Sequence, residues 1–128
     1  MNIQGFHHLA IQVRDLEASA RFYSGVLGLP ELARHHRPDG SLRAIWVGVP
    51  GGGFLALEQV SGAPVPSLFR DERPGLFLLA LRIAREDRDE IASRVRAQGL
   101  TLEHETRWTL YVRDPEGNRV GLSHHPED

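Results

Sequence analysis

The chain has no cysteine. That excludes disulfides, thiolate metal ligands and a thiol nucleophile. No apolar run approaches the roughly 20 residues that a membrane-spanning helix needs, and Met1 to Gly5 lacks the charged and apolar regions of a signal peptide. Neither sign of charge dominates, since 15 basic residues face 17 acidic ones for a net charge of −2. With the signs interspersed there is no basic patch for nucleic acid and no charged tail. The expectation is a cytoplasmic protein with no membrane or nucleic-acid partner. Gly51 to Gly53 is not followed by the Lys-Ser/Thr and helix of a phosphate loop, so it reads as a hairpin turn. No spacing sets a base beside a hydroxyl, which leaves no nucleophilic triad to argue.

What is present is patterned. A chain of 128 residues with 41% hydrophobic content can bury a core as one domain and is short for two independent ones. From Phe6 to Val13 the sequence alternates: His8, Ala10 and Gln12 lie on one side, Leu9, Ile11 and Val13 on the other. This is the period-two pattern of a strand with one packed face. Asp15 stands where an N-cap belongs. Leu16, Ala20, Tyr23 and Leu27, with Ser19, Phe22 and Val26 beside them, make the apolar stripe of a helix that ends at Gly28.

Strands are expected at 31–36 and 42–49, joined by Pro38-Asp39-Gly40, and at 54–60, which carries Glu58. Ser61 to Gly75, with Pro64, Pro66 and Pro74, reads as a connecting loop. The pattern then repeats, with a strand at 76–83, a helix at 86–98 and strands at 101–106, 108–112 and 119–124. The fold class is therefore α+β, with two βαβββ modules at about 4–60 and 76–125 in a single domain spanning 1–128. Leu78 falls on His8 when the halves are aligned, and the last strands are matched so that Glu58 answers to Gly121.

The run from His8 through Asp15-Leu16, Phe22-Tyr23 and Leu27-Gly28, together with Asp114-Pro115-Glu116-Gly117-Asn118 before the last strand, resembles the vicinal-oxygen-chelate superfamily. That group comprises glyoxalases, bleomycin-resistance proteins, fosfomycin-resistance transferases and extradiol dioxygenases. The resemblance implies a cup of mixed sheet with helices outside, a small-molecule ligand or substrate, and a homodimer. It also implies one metal ligand from the first and last strand of each module, which maps to His8, Glu58, Leu78 and Gly121. Only His8 and Glu58 can coordinate Zn²⁺, Fe²⁺, Mn²⁺ or Ni²⁺.

Two readings stay open. In one, the cup binds a small amphipathic molecule, with Leu78 and Gly121 replacing half of a metal site. In the other, a lyase/isomerase or dioxygenase works through a metal on His8 and Glu58 with waters or a further ligand. A hydrogen-bonded His8–Glu58 pair acting in acid–base chemistry lies between them. Trp46 and Trp108 are candidate ligand contacts, with core packing as the alternative. Arg82 is a candidate anion contact because it shares parity with Leu78. His35 and His36 are expected on an exposed hairpin, and His124 and His125 in a solvated tail.

Overall fold

The computed structural model describes residues 1–64, 69 and 72–128. These form two compact units, 1–63 and 64–128, and the boundary falls within the stretch expected to connect the modules. Residues 65–68, 70 and 71 of that stretch lie outside the described residues.

The first unit is a four-stranded sheet of β1 (His8–Val13), β2 (Glu31–His36), β3 (Leu42–Gly48) and β4 (Phe54–Gln59), in the order β1-β4-β3-β2. β1 runs parallel to β4 and the other pairs are antiparallel. One sheet face carries Ile45, Val47, Leu55 and Leu57, all fully buried; residues Leu16–Ala20 pack against β3 and β4, and Leu16, Ala20, Phe22, Tyr23 and Val26 of the helical segment are buried. The expected helix starts where its cap places it: the Asp15 carboxylate accepts from the Ala18 amide at 3.0 Å, opening α1 (Leu16–Ala20). It does not continue as one α-helix. Residues Arg21–Val26 widen into a π-helical segment, with the Leu27 amide donating to the Phe22 carbonyl five residues back at 3.0 Å. A wider turn re-aims side chains that a 3.6-residue period would keep in one stripe, and both Phe22 and Tyr23 are buried here. Gly28 stops the segment at a φ of 77°, as expected.

The second unit repeats the plan. β5 (Leu79–Arg82), β6 (Leu102–Glu105), β7 (Thr109–Arg113) and β8 (Arg119–Ser123) lie in the order β5-β8-β7-β6, with β5 parallel to β8. A single 3₁₀ turn at Arg85–Asp87 leads into α2 (Arg88–Ala97), whose Ala92 and Val95 are buried. The Asp114 to Asn118 motif is a structural turn. Asp114 Oδ1 accepts from the amides of Glu116 and Asn118 at 2.9 and 2.8 Å, and Oδ2 from the Asn118 side chain at 3.0 Å.

Candidate functional site

In the first unit the sheet face away from the helix carries the residues that alternation assigned to it. Strand register arranges them in rungs. His8 pairs with Phe54; Ala10 with Ala56 and then Trp46; Gln12 with Glu58, Ala44 and then His35. Four rings cross the sheet. His8 stacks on Phe54 at 4.9 Å between centroids and 11° between planes. Phe54 and Trp46 lie at 4.5 Å, and Trp46 and His35 at 4.3 Å. The alanines of the inner strands, Ala44 and Ala56, are buried in the same face. Trp46 and Phe54 remain half-exposed.

His7 precedes β1, so strand alternation does not fix its side chain, and its Nδ1 lies 2.8 Å from Nδ1 of His8 with both rings against Phe54. One imidazole must donate and the other accept in such a contact. His35 is not the exposed hairpin residue expected: it is half-buried against Trp46, with Nε2 buried and lacking a hydrogen-bond partner among the described residues.

The second unit's corresponding face differs in chemistry. Ala80 pairs with Gly121 and then Tyr111, in the same relation as Ala10, Ala56 and Trp46. Gly121 permits a close approach: a Cβ there would meet both Leu78 methyls and the Thr109 methyl at 3.3 Å, tighter than ordinary contact. Leu78 hydrocarbon therefore fills the space above the glycine. Along the same face the chain supplies its own ring. Phe69 lies at 4.5 Å from His104 and 5.1 Å from Tyr111, and Arg119 stacks on Phe77 at 3.9 Å and reaches Phe69 at 5.5 Å. Arg82 is exposed at the last rung of β5, in register with Ser123. Trp108 precedes β7 and sits beside His125, with ring centroids 4.8 Å apart and its indole N–H donating to Asp128, so it does not join Leu78 and Gly121.

The profile of the Glyoxalase/Bleomycin resistance protein/Dioxygenase superfamily matches residues 5–122. The chain belongs to that superfamily. An uncharacterized protein of Pseudomonas aeruginosa, PA2024, is 29% identical over 125 residues, covering 91% of this chain and 86% of that protein. A glyoxalase/dioxygenase from Nostoc punctiforme superposes with a TM-score of 0.83 at 23% identity, covering 98% of this chain and 94% of that one. A mutant fosfomycin resistance protein from Listeria monocytogenes, solved with Mn(II) and 1S,2S-dihydroxypropylphosphonic acid, superposes with a TM-score of 0.76 at 18% identity over 95% of this chain and 93% of that one. At these identities the two structures share the fold.

The superfamily's metal can be tested against the residues present. Register corrects the correspondence of Glu58 with Gly121: the residue in Gly121's place is Ala56, while Glu58 answers to Ser123. Glu58 also lies four residues along the strand from Phe54, the partner of His8. In parallel strands that separates His8 from Glu58 by roughly 13 Å, so they form neither a direct hydrogen-bonded pair nor two ligands of one ion within the unit. The four positions become His8, Ala56, Leu78 and Gly121. A lone imidazole is well short of the three protein ligands usual at a catalytic ion. Among the described residues no three His, Asp or Glu side chains group as metal ligands. The donor set does not fit the metal, and no chemistry is derived through one.

Proposed function

We propose that this superfamily member is a metal-independent binding protein that holds a small amphipathic molecule through a planar, unsaturated part. The site is the face of the first unit formed by His8, Phe54, Trp46 and His35, with Glu58 and Gln12 two rungs along to receive polar groups. The observation that carries this reading is the contrast between the repeats. In the second unit a ring from the chain itself, Phe69, stacks against His104 and Tyr111. In the first, the rings of Trp46 and Phe54 make ring contacts only with each other, His35, His7 and His8 among the described residues, and they are half-exposed, as Tyr111 and His104 also are. Ring-on-ring contact adds about 0.5–1.5 kcal/mol beyond burial, which favours a flat ligand over a saturated one of equal size. A metal-dependent lyase/isomerase or dioxygenase has no support in the donor set. The same reading includes a cytoplasmic homodimer, to be measured as twice the chain's 14.3 kDa by sedimentation.

The test compares 2-naphthol with decahydro-2-naphthol by calorimetric titration. Tighter binding of the aromatic alcohol by about two- to tenfold, abolished in Trp46→Leu, is expected. Equal affinity for both probes, or a preference that survives Trp46→Leu, would refute the stacking face.

A further inference from the structure

The second unit contains a cavity of about 390 Å³ lined by Arg85, Arg88, Asp89, Thr106, Arg107, His124 and Asp128. That is within the size range of small-ligand pockets. Its wall is built rather than incidental. His124, expected in a solvated tail, is only 3% exposed. Arg88 Nη1 lies 3.2 Å from His124 Nε2 and can only donate, so Nε2 accepts and the proton sits on Nδ1, which donates to the Glu127 carbonyl at 2.5 Å. The cavity's formal positive charge lies on its three arginines. Arg88 also donates to the carbonyls of Thr106 at 2.8 Å and Arg107 at 3.4 Å, which ties the start of α2 to the β6–β7 turn.

Two features point to what the cavity takes. Arg85 is exposed, and its guanidinium makes no hydrogen bond or ion pair among the described residues. Arg107 is already engaged by a carboxylate: Asp128 accepts from its guanidinium through one oxygen and from the Trp108 indole N–H through the other, at 3.1 Å. Three guanidinium groups thus face two lining carboxylates, Asp89 and Asp128, while Glu105 stands 3.7 Å from Arg88 outside the lining. Guanidinium forks match carboxylate and phosphate geometry.

We infer that this cavity is a site for a compact oxyanion, a carboxylate or a phosphate, which binds Arg85, Arg107 and the Trp108 indole by displacing the Asp128 side chain. Asp128 is the built-in competitor: both Arg107 and Asp128 are largely exposed, at 64% and 59% of their side chains, so the exchange is cheap. Asp89 opposes the anion and keeps the affinity modest. The site lies in the second unit, and its success or failure is independent of the function proposed for the first.

The chain's two tryptophans permit a direct test. In the full chain carrying Trp46→Phe, Trp108 alone reports, and its emission is followed on titration with inorganic phosphate and with acetate against chloride at matched ionic strength. Saturable change with phosphate, with or without acetate, is expected. Asp128→Asn should tighten binding by about two- to fivefold, the range of an exposed ion pair, and Arg85→Gln should weaken it by a similar factor. Unfolding midpoints of the variants confirm that each is folded. A response indistinguishable from chloride, or an affinity unmoved by Asp128→Asn, would overturn the assignment.

Discussion

The two units share one topology and one register, yet their equivalent faces carry different side chains. Where the first has His8, Ala56 and Trp46, the second has Leu78, Gly121 and Tyr111. In the second, hydrocarbon closes over glycine and an aromatic residue from the chain covers the sheet. In the first, small alanines separate an aromatic row from the polar Glu58 and Gln12. Repetition of a backbone therefore preserves where a side chain points without preserving what it can do. Strand pairing fixes the first property, and the residue at each rung fixes the second.

The largest effect is expected from forcing a ligand-type side chain back into the second unit. Gly121→Glu should lower the free energy of unfolding in urea by about 1–3 kcal/mol, because Leu78 and Thr109 already occupy the space. Combined with Leu78→Ala it should cost less than the sum of the two single changes, by at least about 0.5 kcal/mol. Additive losses would mean that Leu78 is not what fills the site.

Removing the covering ring should make the second face resemble the first. Phe69→Ala should cost about 0.5–1.5 kcal/mol of stability and raise the stoichiometry of naphthol binding by exposing Tyr111 and His104. An unchanged stoichiometry, measured by titration calorimetry, would show that the second face cannot serve as a platform even when open.

The smallest effect concerns an exposed ion pair confined to the first unit. Arg34 donates to Glu17 at 2.6 Å and to Glu31 at 2.6 Å, linking β2 to the helix. The hydrogen bond from Arg34 holds the Glu17 carboxyl below its ordinary value of 4.5. A folded-state value below the unfolded one stabilises the fold above the unfolded value, and this stability disappears as pH falls through the folded value. Glu17→Gln should therefore flatten the acid side of the stability–pH curve by a few tenths of a kcal/mol at most and leave neutral and alkaline pH dependence unchanged. A change above neutral pH would contradict the sign.

Much of the fold was legible because it rests on local rules. Alternation marked β1, Asp15 capped the helix, and turn residues marked the hairpins. The π-helical turn at Arg21–Val26 was not legible, since Phe22 and Tyr23 fit an ordinary helical stripe equally well and tertiary packing selects the wider turn. His8, Leu78 and Gly121 were singled out through the family resemblance and the alignment of the halves, and Trp46 as an aromatic in a strand. Glu58 was misplaced because parity fixes the face of a strand but not its rung, and only the parallel register with β1 shows that Phe54, not Glu58, meets His8. Phe54 was not singled out, although it shares Glu58's parity, and that signal could have found it. Phe69 and His124 were not legible, since each is positioned by contacts that no periodicity encodes.

The most direct measurement is elemental analysis for divalent metals of the protein purified from metal-supplemented growth, set beside a His8→Ala variant. With His8 the lone donor among His8, Ala56, Leu78 and Gly121, the two proteins should carry the same trace metal, far below one ion per chain. Near-stoichiometric metal in the natural protein that vanishes with His8 would contradict the metal-independent site.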